Sequence, residues 1–201
     1  MTDWESRYQT GDMPWEKGRA APPLLELLDR RGPEIWGKGE VLVPGCGLGH
    51  DVRALAACGV GARGVDLAAT AVDLARGFPQ VAGEAYELGD FLEPGWREGR
   101  QFSAIWEHTC FCAIDPSRRV DYAAAVADLL EEGGLLAGVF FLTPYDPGEE
   151  SAGPPFPTSV DEITQLFAPW FECEDSWVPE QGYPGRLGRE WLGLFRRKAQ
   201  G

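Results

Sequence analysis

Short apolar runs alternate with stretches of helical periodicity along most of the chain. The apolar runs, each of strand length, cover 41–43, 60–65, 84–88, 102–106 and 135–142. Apolar residues recur at helical spacing over 22–31, 68–76, 115–130 and 161–167, and a further helix is predicted after Gly49. Strands and helices that alternate at these lengths predict an α/β fold, a three-layer sandwich around a mostly parallel sheet.

The last two predicted strands, 171–178 and 191–197, are not separated by a predicted helix. They are predicted to pair as an antiparallel C-terminal hairpin at the sheet edge, which completes a Rossmann-like, seven-stranded sheet. At 201 residues the expectation is a single domain, 1–201. Two segments depart from the regular pattern. Residues 1–20 are rich in aromatic side chains, and 143–158 is a proline and glycine loop long enough to serve the substrate side of a site.

The turn Gly45-Cys46-Gly47-Leu48-Gly49 joins the first predicted strand to the helix after it. Glycine is required where a backbone turns sharply or approaches a ligand closely, because a Cβ atom would clash there. The free N–H groups at the start of the helix can hold polar or anionic groups. Asp66 ends the next strand, about 20 residues further on, where an acidic side chain can accept hydrogen bonds from ribose hydroxyls. The arrangement predicts a nucleoside-cofactor site.

Three details narrow the choice of cofactor. The dinucleotide fingerprint needs a third glycine where this chain has His50, which argues against NAD and an NAD-dependent oxidoreductase. The Gly-Lys-Ser/Thr ending of a phosphate-binding loop is absent, which argues against ATP and GTP. Glycines at alternate positions suit S-adenosylmethionine (SAM). Asp90 and Phe91, after the third strand, can pair with the adenine amine and stack on its ring, or they are ordinary loop residues on an acidic surface.

Composition argues against several other classes of function. Acidic residues outnumber basic ones by 32 to 18 and the net charge is −14, so nucleic acid and anionic membrane surfaces are poor partners. No N-terminal apolar signal and no run of about 18 apolar residues is present, so a cytoplasmic location is expected. The five cysteines are expected to be reduced thiols. The cysteines and the two histidines lack the usual zinc spacing, and no metal is expected.

Three large aromatic residues, Trp4, Tyr8 and Trp15, stand among glycines, a proline and charges in the N-terminal segment. Trp4 and Tyr8 are four positions apart and share one face of a helix. One interpretation is a permanent hydrophobic plug on the core. The other is a lid, exposed without ligand, whose rings close over the cationic sulfonium of SAM. The segment by itself fits both interpretations.

Further motifs join these along the chain. In order, the pieces are Trp4…Tyr8, Pro14-Trp15-x-x-Gly18-Arg19-x-x-Pro22, Val43-Pro44-Gly45-Cys46-Gly47-x-Gly49-His50-Asp51-Val52, Gly64-Val65-Asp66, Gly89-Asp90, Phe111-Cys112-Ala113-Ile114-x-Pro116-x-Arg118, Gly153-Pro154-Pro155-Phe156 and Gly188-Arg189-Glu190-x-Leu192-Gly193. The assembled pattern resembles the thiopurine methyltransferase superfamily, and within it the halide/thiol methyltransferase branch. Several motifs in order are far more specific than one glycine turn.

The resemblance implies which residues meet the cofactor. From the methionine end through the ribose to the adenine, they are Trp4, Tyr8, Trp15, Gly45, Gly47, Asp66, Asp90 and Phe91. His108 is implied as well, in the place where the family has a tyrosine or arginine facing cofactor or substrate. Tyr8 stands where the family usually has tryptophan. Both departures lie near the substrate, so they leave the methyl acceptor open while SAM stays the expected cofactor.

The implied activity is SAM-dependent methyl transfer to a small soft nucleophile, a thiol or a halide, with S-adenosylhomocysteine as the second product. Transfer from a sulfonium is an in-line displacement that needs alignment more than a strong base. His108 is a weak catalytic candidate, since histidine can deprotonate a thiol near neutral pH, and it is equally well a packed side chain. An oxygen or nitrogen acceptor, or a non-catalytic SAM-binding module, is the alternative. A monomer is expected.

Overall fold

The computed structural model describes residues 2–146, 148–149 and 153–199. Within them one sheet has seven strands in the order β3-β2-β1-β4-β5-β7-β6. The strands are β1 Val41–Pro44, β2 Ala62–Asp66, β3 Glu84–Leu88, β4 Phe102–His108, β5 Leu130–Phe141, β6 Phe171–Trp177 and β7 Glu190–Arg197. The first five pair in parallel, whereas β7 pairs antiparallel with both β5 and β6. The predicted C-terminal hairpin is confirmed, with β7 inside the sheet and β6 at its edge.

The helices in the described ranges are α1 Trp4–Thr10, α2 Pro22–Arg31, α3 His50–Ala57, α4 Ala69–Arg76, α5 Pro94–Arg97, α6 Arg119–Leu129 and α7 Val160–Phe167. Of these, α1 and α2 precede β1, and the other five helices lie in the connections between successive strands. Short 3₁₀ turns cover Pro33–Trp36, Phe111–Ala113 and Pro116–Arg118. The predicted helix 115–130 therefore begins as a 3₁₀ turn and ends one residue early, because β5 starts at Leu130. None of the helices in the described ranges is long and apolar enough to cross a bilayer.

Local signals explain where individual helices begin and end. Pro22 stands at the first position of α2, where its missing N–H costs nothing, and Gly32 ends the helix with a φ of 72°. Ser159 caps α7, because its hydroxyl accepts from the backbone N–H of Glu162 at 3.1 Å.

Two hydrophobic cores lie on opposite faces of the sheet and make the predicted three layers. One face is covered by α2, α3 and α4 through Leu24, Leu27, Val52, Leu55 and Val72. The other is covered by α6 and α7 through Tyr122, Val126, Ile163 and Phe167. Strand side chains alternate between the two cores, as they must in a sheet buried on both faces. The strand order reverses between β1 and β4, and a crevice at such a point is where ligands bind in open parallel sheets.

Candidate active site

A cleft of about 1050 Å³ lies at the carboxyl ends of the central strands. Its floor is the glycine turn after β1, and its walls are the N-terminal segment, the turn after β4 and residues around Tyr183 and Arg186. All of the residues predicted from the sequence for the site line this one cleft: Trp4, Tyr8, Trp15, Gly45, Gly47, Asp66, Asp90, Phe91 and His108. The predicted substrate-side loop 143–158 reaches it through residues 153–156, while residues 147 and 150–152 of that loop lie outside the described residues.

The glycine turn needs its glycines for two physical reasons. Gly45, Gly47 and Gly49 all have positive φ, at 59°, 51° and 74°, a region that side chains with a Cβ atom rarely adopt. Space is short as well. A Cβ atom on Gly45 would lie 3.1 Å from the Cys110 Sγ, and one on Gly49 would overlap the ring of Tyr86. Neighbouring side chains of the protein therefore leave little room for a side chain in this turn.

Asp66 ends β2 beside this turn and holds it in place. One carboxylate oxygen, Oδ2, accepts from the Gly47 N–H at 2.9 Å, and the other, Oδ1, accepts from the Ala68 N–H at 3.0 Å. The side chain is 7% exposed, and burial raises its pKa. Because an ionised carboxylate has about four acceptor positions, Asp66 keeps acceptor capacity for a ligand while it fixes the turn.

Asp90 and Phe91 follow β3 and form the next part of the wall. Asp90 Oδ1 accepts from the backbone N–H of Leu92 at 2.8 Å, which shapes the loop. Phe91 is 6% exposed and meets the ring of Tyr122 edge to face, with the centroids 5.5 Å apart. Phe91 is therefore part of the core beneath the cleft as well as part of its wall.

The aromatic residues of the N-terminal segment form one cluster. The Trp15 ring contacts both Trp4 and Tyr8 edge to face, at centroid distances of 5.4 and 5.7 Å, and its Nε1 donates to the Tyr8 hydroxyl at 3.3 Å. The Arg7 guanidinium lies 4.5 Å from the Trp15 ring centroid. Tyr8 is 7% exposed, so the expectation that all three rings lie exposed is wrong for Tyr8. It is buried because α1 packs against α4.

Four hydrogen bonds that the sequence did not predict attach residues 5–21 to α3 and α4. The Glu5 carboxylate accepts from the backbone N–H of Thr70 at 3.1 Å and from its hydroxyl at 2.5 Å. His50 Nε2 lies 3.0 Å from Glu16 Oε1, and this bond lowers the pKa of Glu16. Asp51 Oδ1 accepts from the backbone N–H of Ala21 at 2.7 Å. Thus His50, which replaces the third glycine of a dinucleotide site, helps to fasten the segment that covers the cleft.

His108 ends β4 between two carboxylates. Its Nδ1 lies 3.6 Å from Asp51 Oδ2, and its Nε2 lies 4.0 Å from Glu190 Oε1. The side chain is 9% exposed, and Nε2 has no hydrogen-bond partner among the described residues. Burial, followed by the nearby Arg186 charge, lowers the pKa of His108 to about 3. The imidazole is therefore neutral at physiological pH, which argues against proton abstraction by His108 near neutrality.

This wall also contains Arg186 and Tyr183. The sequence leaves Arg186 either at a strand edge or facing an anionic substrate, and it does not single out Tyr183. Arg186 forms an ion pair with Glu190 at 3.0 Å, and its guanidinium lies 4.7 Å from the Phe141 ring centroid and 5.7 Å from that of Tyr183. The Tyr183 hydroxyl donates to the carbonyl of Arg19 at 2.8 Å, so it joins the C-terminal wall to the N-terminal segment. No local pattern in the sequence marks Tyr183, because its partners are distant along the chain.

Cys110 and Cys112 line the cleft as neutral thiols. Burial raises the pKa of Cys110 well above its ordinary value and that of Cys112 to about 12. A protonated thiol is a poor nucleophile, so neither cysteine competes for a methyl group. In the described part of the chain, no group of three or more His, Cys, Asp or Glu side chains is placed to hold a metal ion.

The fold and the cleft together define a SAM-dependent methyltransferase. The chain belongs to the thiopurine S-methyltransferase (TPMT) family, whose model matches residues 1–182. Among solved structures, it is similar to the Burkholderia thailandensis 1,6-didemethyltoxoflavin-N1-methyltransferase with bound 1,6-didemethyltoxoflavin and S-adenosylhomocysteine. The TM-score is 0.71 and the identity 21%, over 98% of this chain and 86% of that one.

Two plant proteins are among its relatives in sequence. The "Probable thiol methyltransferase 2" of Arabidopsis thaliana is 31% identical over an alignment of 201 residues, which covers 98% of this chain and 85% of the relative. The "Thiocyanate methyltransferase 1" of Brassica oleracea is 30% identical over 200 residues, which cover 96% of this chain and 84% of the relative. The expected class of enzyme and its cofactor, SAM, are confirmed.

Proposed function

We propose that the protein transfers the methyl group of SAM to a small soft nucleophile, a thiol or an anion such as thiocyanate or a halide. The observation that carries the proposal is the chemistry around His108, Tyr183 and Arg186, which we call the acceptor wall. His108 is neutral, with a pKa lowered to about 3, and Glu190 is paired with Arg186. A wall of this kind suits a nucleophile that needs no strong base. The names of the thiol and thiocyanate methyltransferase relatives support a sulfur acceptor.

The cofactor is expected to lie across the glycine turn. In this proposal the adenine lies against Asp90 and Phe91, and the ribose hydroxyls donate to the Asp66 carboxylate. The methionine part meets the backbone of the turn at Gly45 and Gly47. The sulfonium faces the aromatic cluster of Trp4, Tyr8 and Trp15, since an aromatic face attracts a cation by about 0.5–2 kcal/mol.

The chain's own contribution to the reaction is alignment and exclusion of water. The sulfonium is already activated by its charge. Holding the nucleophile on the axis of the methyl–sulfur bond can lower the barrier further, by up to about 7–11 kcal/mol. The N-terminal segment closes the cleft from the solvent side, which keeps water out of the displacement. A neutral His108 has one N–H donor and one lone pair, and it can orient either an anion or a thiol by a hydrogen bond.

The proposal also covers the oligomeric state of the protein, its location and its partners. We infer a monomer that works in the cytoplasm on a small molecule, with no nucleic-acid partner. The net charge of −14 supports the last point, because nucleic acids require a basic surface. The five free cysteines support a reducing compartment.

Turnover with a panel of acceptors tests the proposal. Purified protein is incubated with SAM and, separately, with aliphatic and aromatic thiols, thiocyanate, iodide, bromide, a phenol and an amine. S-Adenosylhomocysteine and the methylated product are measured by mass spectrometry. Methylation of the sulfur or halide acceptors is expected. Turnover with the phenol or the amine alone would overturn the acceptor class, and SAM binding without turnover on any acceptor would favour a non-catalytic binding module.

A further inference from the structure

Glu107 is a fully buried acid directly beside the cleft. It is the penultimate residue of β4 and has an exposure of 0%. Its Oε1 accepts from the backbone N–H of Cys110 at 2.9 Å and from that of Phe111 at 2.7 Å. Its Oε2 accepts from the hydroxyl of Tyr122 on α6. Three donors thus converge on one carboxylate, and two of them are adjacent main-chain groups that would otherwise be buried without a partner.

The main chain that Glu107 holds is in an unusual conformation. Thr109 has a φ of 66°, and it is the only non-glycine residue with positive φ in the described ranges. A β-branched residue is disfavoured in this region, so the surrounding contacts must impose the conformation. The bonds from Glu107 to Cys110 and Phe111 close the turn immediately after Thr109. They are the contacts best placed to impose it.

This turn joins the two sides of the cleft. His108, at the start of the turn, belongs to the acceptor wall. Cys110, further along the turn, contacts the glycine turn on the cofactor side, because its Sγ lies 3.1 Å from the place that a Cβ atom on Gly45 would occupy. At its end the Cys112 carbonyl accepts from the Phe156 N–H at 2.7 Å, which fastens the loop at 153–156. A shift of the turn would therefore move the acceptor wall relative to the cofactor floor.

We propose that Glu107 is a positioning residue for methyl transfer, which fixes the turn from His108 to Cys112 and so sets where the acceptor stands relative to the methyl group. The inference rests on the proposed function, because it assigns His108 and its neighbours to the acceptor side. Glu107 itself touches neither substrate nor cofactor. It acts through the backbone N–H groups of Cys110 and Phe111.

The chain offers a matched control in Glu26. This acid is also buried, and its two oxygens accept from Trp177 Nε1 at 2.9 Å and from the Gln181 N–H at 2.8 Å. It lies outside the cleft lining. Glu26→Ala, like Glu107→Ala, removes a buried, hydrogen-bonded carboxylate, here one that also pairs with Arg30 at 2.9 Å, but away from the proposed site. It therefore separates a positioning role from a general loss of stability.

The kinetic test compares four variants with the wild type, per mole of folded enzyme. Glu107→Ala is expected to lower kcat/KM for the methyl acceptor by about 100-fold, the size of effect that a misplacement of 1 Å can have. Its affinity for S-adenosylhomocysteine should fall far less. Glu107→Gln keeps an oxygen acceptor for both N–H groups and is expected to restore most of the activity. Glu26→Ala should lower Tm and leave kcat/KM unchanged.

Glu107→Asp, the fourth variant, keeps the test decisive if Glu107→Ala does not fold. It retains the charge but withdraws the carboxylate by one methylene, so it should lose acceptor efficiency while it still binds S-adenosylhomocysteine. Wild-type kinetics in Glu107→Asp would overturn the proposal. An equal loss of kcat/KM in Glu26→Ala would also overturn it, because the effect would then follow from stability alone.

A second readout does not depend on the acceptor and separates this inference from the proposed function. Iodoacetamide alkylation, mapped by mass spectrometry, should leave Cys110 and Cys112 protected in the wild type and in Glu107→Gln, and should label both in Glu107→Ala. Cys58 and Cys173 are exposed and serve as internal references. Unchanged protection in a folded Glu107→Ala would overturn the role of Glu107 in holding the turn, whatever the wild-type enzyme methylates.

Discussion

The proposed function divides the cleft into a cofactor half and an acceptor half, and the two are built in different ways. The cofactor half comes from 45–91, where three successive strand ends and one glycine turn supply backbone groups and Asp66. The acceptor half combines the turn after β4, Phe141 at the end of β5, residues 153–156, Tyr183 and Arg186, which are far apart along the chain. The first half is local in sequence and the second is assembled by the fold. This difference explains why the cofactor can be inferred from motifs and the acceptor cannot.

The electrostatics of the halves differ too. In the cofactor half, Asp66 is surrounded by main-chain donors. In the acceptor half, burial moves two neighbouring groups toward their neutral forms: it raises the pKa of Glu107 to about 7 and lowers that of His108 to about 3. At neutral pH His108 is therefore neutral and Glu107 is partly protonated, while Arg186 and Glu190 form an ion pair.

The largest expected effect concerns the N-terminal segment, the proposed lid of the cleft. Deletion of residues 1–15 removes the aromatic cluster and the contact of Glu5 with Thr70, but it keeps the bond between Asp51 and Ala21. Turnover should fall by at least about 100-fold, because water enters and alignment is lost. Tm should fall by only a few degrees.

Circular dichroism melts beside single-turnover methyl transfer measure the effect of this deletion. A truncated protein with full turnover would contradict the lid. A truncated protein that cannot fold would mean that the segment is permanent core.

Asp66→Ala tests the cofactor half of the comparison. The variant should bind SAM more weakly by about 1.5–3 kcal/mol, because charge-assisted hydrogen bonds to the ribose are lost. Loosening of the turn at Gly47 contributes to the same loss. Calorimetry measures the affinity. Asp73→Ala, an acid on α4 outside the cleft lining, is the control and should bind SAM normally. Unchanged affinity in folded Asp66→Ala would remove Asp66 from the ribose site.

Glu107→Gln tests the buried charge of the acceptor half by its pH dependence. The folded pKa of Glu107 is about 7 and its ordinary value is 4.5, so the folded state binds the extra proton between these values and loses stability as pH rises through them. The variant lacks this titration. The unfolding free energy of the variant, relative to that of the wild type, should therefore increase by on the order of 2 kcal/mol between about pH 5.5 and pH 7. Denaturant unfolding at several pH values measures the difference, and a constant difference would contradict the raised pKa.

The smallest effect is expected for His108→Gln. Because the pKa of His108 is lowered to about 3, the side chain does not titrate between pH 5 and 8. Loss of its hydrogen bond should lower kcat/KM for the acceptor by about tenfold. The shape of the pH–rate profile over that range should stay the same in the variant. Disappearance of an inflection near neutral pH would show instead that His108 acts as a base.

The sequence was informative wherever a local pattern decides the structure. The strand 84–88 and the helix 22–31 lie where the periodicity predicts them, and the glycine turn leads to Asp66 at the end of β2. β5 begins at Leu130, five residues earlier than predicted, because Glu131 to Gly134 continue the strand without apolar side chains. The burial of Tyr8 depends on α4, a partner that no pattern within 1–20 reveals.

Glu107 shows which part of the acceptor half could not be anticipated. A charged residue near a strand end is usually exposed, and nothing in its immediate neighbours indicates full burial. Its partners are two backbone N–H groups of a turn and a tyrosine on the next helix. Such an environment exists only once β4, the turn and α6 have packed together.

The position of β7 has a consequence for the order in which the molecule assembles. β6 is made earlier but pairs in the sheet only with β7, which enters between β5 and β6. β6 can therefore join the sheet only after β7 has been made, and β7 must pair with β5 across residues 142–189, a non-local pairing that is expected to be slow. β7 also carries Glu190, the partner of Arg186. A nascent chain should therefore complete the region that holds SAM before it completes the region that selects what is methylated.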